Sequence, residues 1–250
     1  MNHSDDRVPV DSDLASPMTA AVKAVKAGDL NALAMLLNAH SKLARLRSAD
    51  GRTLLHHAAD WPGHFPNGAA VVTALIAAGS DPNAPATGRW PETPLHWAAS
   101  SDDIEVLDAL LDGGADIEVP GASIAGGTPL DDAVGYGQWR AARRLVERGV
   151  RVDKLWHAAA LGMMSRVEEH FAGASPPVPD DVNMAFWQAC HGGQKGAAEY
   201  LFARGADLNW VPSWAEQTPL DIAEYSGAVD VVKWLRERGG RSAGAKSKRD

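Results

Sequence analysis

The segment Thr93-Pro94-Leu95-His96-Trp97-Ala98-Ala99 returns as Thr128-Pro129-Leu130-Asp131-Asp132-Ala133 and again as Thr218-Pro219-Leu220-Asp221-Ile222-Ala223. Looser copies are Thr53-Leu54-Leu55-His56-His57-Ala58-Ala59, Leu155-Trp156-His157-Ala158-Ala159 and Phe186-Trp187-Gln188-Ala189-Cys190. Taking the leucine position as register, the copies fall at 55, 95, 130, 155, 186 and 220, with steps of 40, 35, 25, 31 and 34 residues. A unit of that size cannot bury an apolar face alone, so such a chain folds by stacking neighbouring units.

A second landmark tests the register. Gly114, Gly149, Gly205 and Gly239 stand nineteen residues after Leu95, Leu130, Phe186 and Leu220. Glycine also recurs seven residues after the register position, at Gly137, Gly162, Gly193 and Gly227. Four residues before each closing glycine is an apolar anchor: Leu75, Leu110, Leu145, Leu201 or Leu235. Each unit therefore reads as a capped short helix, a tight reversal, a longer helix and a glycine at its end. Asp or Asn after that glycine can hold the turn towards the next unit. Ala21 to His40 fits the same frame with Gly28 and Leu36-Leu37, which makes seven units.

The T-P-L-H-x-A blocks, together with Gly79-Ser80-Asp81-Pro82-Asn83, Gly114-Ala115-Asp116 and Gly205-Ala206-Asp207-Leu208-Asn209, resemble the ankyrin repeat family. The resemblance spans residues 18–240 and implies an all-α solenoid of about seven helix-turn-helix repeats with β-turn fingers. On this reading 18–240 is a single domain between a disordered tail over 1–17 and a basic flexible tail over 241–250. The resemblance also implies a protein-binding module that uses a concave groove and finger loops, with neither catalysis nor a cofactor.

Three departures mark candidate specialisations. The second unit is five residues longer than the others between register leucine and closing glycine, and the excess falls at Asp60-Trp61-Pro62-Gly63-His64-Phe65-Pro66-Asn67-Gly68. This is either a binding loop or a tolerated insertion packed on its own repeat. The connection from Gly149 to Leu155 is too short for a projecting finger and is expected to interrupt the finger row. The fifth unit has His170 at the anchor, Ala174 at the glycine position and then Ser175-Pro176-Pro177, so the weakest part of the array is expected there.

Composition narrows the function. Forty-four alanines suit closely packed helices. The net charge is −8, and the body without its two tails carries the same charge, which weighs against nucleic acid as partner. No apolar run is long enough for a spanning helix, the first residues carry no apolar signal core, and the one cysteine, Cys190, cannot form an internal disulfide. The expectation is a cytoplasmic protein, monomeric and facing a neutral or basic partner surface.

Nine tryptophans stand against seven other aromatics. Trp90, Trp210 and Trp214 precede T-P-L blocks on the fingers, while Trp97 sits at the motif position that ankyrin-like proteins turn towards the groove. Amphipathic rings there suit a binding hot spot, although local packing explains any single one equally well. Candidate partner-binding residues are Trp90, Trp97, Trp210 and Trp214, with His57, Trp61, Phe65, Tyr136, His157 and Gln188. Trp156 and Trp187 replace the motif histidine and read as structural. The histidines lack tetrahedral zinc-site spacing, so no metal is expected. Cys190 occupies a packing position and no nucleophile motif appears, so no catalytic residue is assigned. The rival readings are an enzyme or small-ligand binder with a pocket near Trp61–Phe65, and a self-associating structural solenoid.

Overall fold

The computed structural model describes residues 15–173 and 175–244. The chain divides into two compact units, Met1–Val150 and Arg151–Asp250. The division falls in the short connection between Gly149 and Leu155. The first unit holds four helix pairs: α1 (Ala15–Ala27) with α2 (Leu30–Ala39), α3 (Leu54–Ala59) with α4 (Gly68–Ala77), α5 (Pro94–Ser100) with α6 (Ile104–Asp112), and α7 (Pro129–Gly135) with α8 (Trp139–Glu147). The second holds three: α9 (Leu155–Ala160) with α10 (Met164–Ala172), α11 (Pro179–His191) with α12 (Lys195–Phe202), and α13 (Pro219–Tyr225) with α14 (Val229–Glu237). Among the described residues the only β pairing is an isolated bridge between Arg47 and Thr53.

The apolar register explains the stacking. Leu55, Leu95, Leu130 and Phe186 are fully buried, as are the anchors Leu75, Leu110, Leu145, Leu201 and Leu235. Each such side chain contributes about 2 kcal/mol by leaving water. The alanines beside them, such as Ala98 and Ala99, are also fully buried and leave room for the neighbouring helix. In the second unit an aromatic cluster replaces part of this small-residue packing. Trp234 meets Phe202 edge to face at 5.7 Å and lies 6.2 Å from Phe186. Trp234 itself is buried.

The polar half of the motif caps one repeat and ties it to the next. Thr53, Thr93, Thr128 and Thr218 each form a capping box with the residue three positions on. The Thr53 and Thr93 backbone N–H groups donate to Nδ1 of His56 and His96 at 3.2 and 3.1 Å. That acceptor role puts the ring proton on Nε2, which donates to the Glu92 carbonyl at 3.0 Å and the Gly127 carbonyl at 3.4 Å. Trp187 makes the equivalent bond, donating Nε1–H to the Gln217 carbonyl at 3.0 Å. Each accepting carbonyl belongs to the residue just before the next motif threonine. Asp221 reverses the polarity and accepts the Ala243 N–H at 2.8 Å.

Turns follow the expected chemistry. Gly137, Gly162, Gly193 and Gly227 take φ of 67–70° in the reversals between paired helices. In the third repeat Asp102 holds that position at φ 55°. Its carboxylate accepts the Ala141 N–H at 2.7 Å in the first turn of α8, a bond glycine could not make. Asn83 and Asn209 hold successive turns together by accepting the N–H of Asp116 and of Arg241, each at 2.7 Å. On the helix faces Asp108 accepts from both Arg144 and Arg148, at 2.8 and 2.7 Å.

The expected boundaries need correction at both ends. Helix α1 begins at Ala15, inside the expected tail, because Met18 already belongs to the core. Arg241 and Ala243 hydrogen-bond back to Asn209 and Asp221, so ordered contacts continue past residue 240. Residues 1–14, Ala174 and the basic residues from 245 onward lie outside the described residues. In the last repeat Arg236 is exposed and pairs with Glu224 at 2.8 Å.

Candidate partner-binding groove

The residue before each motif threonine lies at the inner end of a finger, and the register places Arg52 and Glu92 at equivalent positions. Around them the first unit opens a hollow of about 450 Å³, walled by Trp61, Trp97 and Tyr136 among others. Trp61 comes from the insertion after α3, Trp97 from α5, and Tyr136 from the C-terminal end of α7. Three of the expected partner-binding side chains thus converge on one concavity.

Polar groups order its walls. The Arg52 guanidinium lies 4.7 Å from the Trp97 ring centre and pairs with Asp50 at 3.3 Å and Asp60 at 3.4 Å. Lys26 completes the cover of Asp60 at 2.9 Å. The Trp97 indole N–H donates to Glu92 Oε2 at 3.0 Å, while the Ser123 N–H donates to Glu92 Oε1 at 3.0 Å. The Ser123 hydroxyl donates to Asp132 Oδ1 at 3.2 Å and lies 3.0 Å from the Tyr136 hydroxyl. Asp132 Oδ1 also receives the Ile124 N–H at 3.2 Å, while its Oδ2 is buried without a hydrogen-bond partner. Burial, joined by the Glu92 and Asp131 charges, pushes the Asp132 carboxyl up to about 7.

Exposure sorts the expected site residues. Trp61 is 76% exposed, Trp214 57%, Tyr136 51% and Trp90 39%. Trp97 and Phe65 are half-buried. Trp210 is half-buried on its finger and meets Trp214 edge to face at 5.8 Å. His57, His157 and Gln188 are buried, which removes them as contact residues. His57 instead faces the Ser48 hydroxyl at 2.8 Å, and its burial lowers its pKa. At this motif position the side chain reaches solvent only when it is as long as Trp97; a shorter one stays beneath the fingers.

The expected pocket spanning Trp61 to Phe65 does not form as one unit. Trp61 faces the hollow, whereas Phe65 packs under Lys26, whose Nζ is 5.6 Å from the ring centre. The insertion is pinned by its backbone, since the His64 N–H donates to the buried Asp103 carboxylate at 2.6 Å. Asp103 also caps α6 through the Val106 N–H at 3.2 Å. Cys190 is buried in α11 and burial pushes its thiol pKa up, which fits packing rather than nucleophilic chemistry. Among the described residues no three His, Cys, Asp or Glu side chains gather as metal ligands, and no helix is long and apolar enough to cross a membrane.

Arg52, Glu92 and Ser123 were not singled out from sequence, whereas Asp132 stands two residues after Leu130, at the motif position of Trp97. The signal for the first two was available, because each precedes a motif threonine. Ser123 joins them only through the folding of the finger before α7.

Comparisons with known proteins agree with this architecture. Residues 64–154 match the family model described as "Ankyrin repeats (3 copies)". The chain is 26% identical over 214 residues to "Ankyrin repeat and KH domain-containing protein mask-1" of Caenorhabditis elegans, which covers 82% of this chain but 8% of that protein. The fold matches the human ASB11 ankyrin repeat domain with a TM-score of 0.51 and 22% identity, covering 89% of each chain. Repeated motif, paired helices and these matches lead to one conclusion: the chain is similar to ankyrin repeat proteins, matching their repeat over residues 64–154 and having the fold of an ankyrin repeat domain.

Proposed function

We propose that this protein is a non-enzymatic binding module that holds another protein in the groove of its first unit. Ankyrin repeats are generally protein–protein interaction modules. The observation that carries the reading is the convergence of Trp61, Trp97 and Tyr136 on one hollow beneath the fingers. Half-exposed rings backed by buried, hydrogen-bonded walls are what a binding hot spot requires. Trp90 on its own finger, and Trp210 with Trp214 in the second unit, are additional contact points. The role is that of an adaptor, scaffold or inhibitor, exercised by a monomer in the cytoplasm. The lone buried thiol and the acidic, charge-rich surface support that setting.

The test compares wild type with Trp61→Ala and Tyr136→Phe in affinity capture followed by titration of the captured protein. Both substituted side chains are exposed, so folding is expected to be unchanged by circular dichroism. Loss of about tenfold or more in affinity for Trp61→Ala is the expected result. Equal affinity of all three forms for the same captured protein would remove the groove from the mechanism.

A further inference from the structure

Building on the groove reading above, we infer that the hollow receives a basic side chain, arginine or lysine, projecting from the partner protein, with Glu92 as its counter-charge. The chain's own ion pairing leads to this. The cations at the hollow are already committed: Lys26 and Arg52 hold Asp60, and Arg52 also holds Asp50. Glu92 is bound only by neutral donors, the Trp97 indole and the Ser123 amide. Asp132 is likewise bound only by neutral donors, and its Oδ2 has no partner. Among the described residues neither carboxylate is within ion-pair distance of a cation of this chain. One serine joins them, so two acidic groups share a wall of the hollow without an ion pair. Such an arrangement is costly alone and favours a cation brought from outside.

The aromatic walls fit the same guest. Arg52 over Trp97 shows that this wall accepts a guanidinium at stacking distance. Trp61 and Tyr136 carry exposed rings that no cation of the described chain covers. A volume of about 450 Å³ accommodates one long side chain with its solvating waters. The Ser100, Ser123 and Tyr136 hydroxyls line the space and offer acceptors to its N–H groups. The net charge of −8 adds long-range attraction for a basic segment. An apolar guest would leave Glu92 desolvated and unpaired, which makes the hollow selective against it.

The experiment titrates the full chain with acetyl-Gly-Gly-Arg-Gly-Gly-amide and its lysine counterpart, following the Trp97 indole N–H by NMR. The resonance is assigned with Trp97→Phe. Saturating shifts are expected with both peptides. The citrulline and norleucine peptides, which keep length but lose charge, are expected to bind at least about tenfold more weakly. Glu92→Gln keeps one carbonyl acceptor and is expected to weaken the arginine peptide by about tenfold. Trp61→Ala, whose side chain supports no packing, is expected to weaken it several-fold with the thermal transition unmoved. Equal binding of charged and uncharged peptides, or no change in Glu92→Gln, overturns the inference. If capture of a protein still depends on Trp61 while the peptides fail, the basic guest is wrong and the groove stands. If capture is indifferent to Trp61 and Tyr136, the groove reading itself falls.

Discussion

The two units are built on one apolar register yet are held by different polar devices. In the first, Thr53, Thr93 and Thr128 all close capping boxes, and His56 and His96 then reach the next finger. In the second, only Thr218 does so, and the N-caps of α9 and α11, Lys154 and Val178, give no side-chain bond that caps their helix. There α11 is lengthened to 13 residues and starts on Pro179. Aromatic bulk from Phe186, Phe202 and Trp234 fills the interior. The comparison teaches that the leucine and glycine frame is sufficient for the fold, while capping and aromatic packing are interchangeable means of tightening it. It also explains why the groove belongs to the first unit: a hollow needs well-formed fingers on both sides, and the boxes fix their roots.

The largest test of this contrast is Phe186→Ala, expected to cost about 3–5 kcal/mol because Phe202 and Trp234 lose their partner. Urea denaturation of Phe186→Ala beside Leu95→Ala ranks the two cores. A greater loss for Leu95→Ala would contradict the claim that aromatic packing carries the second unit. Next comes capping. Thr53→Ala is expected to cost about 1–2 kcal/mol, whereas Lys154→Ala at the corresponding position stays within about 0.5 kcal/mol. Equal effects would show that the two units are capped alike.

Acid–base behaviour tests the contrast along a separate axis, through pH. Burial lowers His56 in the first unit and His191 in the second to about 4, so each contributes stability present above pH of about 6.5 and lost as pH falls towards 4. Asp132 has the opposite sign. Its carboxyl is raised to about 7, so its contribution is fullest below about 3.8 and fades as pH rises through 7. Asp132→Asn is therefore expected to gain on wild type between about pH 5 and 8, while His191→Asn flattens the acid side only. Thermal unfolding across that range checks both signs, and parallel pH profiles for wild type and Asp132→Asn would refute the buried-carboxyl account.

How much could be read in advance varies with the kind of interaction. Positions recurring with the repeat were legible, since a period forces the same burial on every copy: Leu75, Leu110, Leu145, Leu201 and Leu235 are all buried as expected. The short Gly149–Leu155 connection was expected only to interrupt the finger row within one domain, and the boundary between the two compact units falls there. Side chains whose role depends on what another repeat places opposite them were not legible. His57, His157 and Gln188 share a motif position with Trp97, yet only the tryptophan is long enough to emerge. Trp187 was readable as a structural substitute for histidine, but its bond to Gln217 needed the next finger in place.

Local chemistry and periodicity were enough to specify the helix pairs, their caps and the apolar stack, because propensity, capping and 3.6-residue burial act within one repeat or between adjacent ones. The groove depends on something else. Arg52, Trp61, Glu92, Trp97, Ser123 and Tyr136 come from segments as much as 84 residues apart. Whether their charges cancel or remain unpaired depends on distances of 3 to 5 Å set by the stacking of fingers. A motif repeats residue types; which carboxylate is left without a cation emerges only when the repeats are packed against one another.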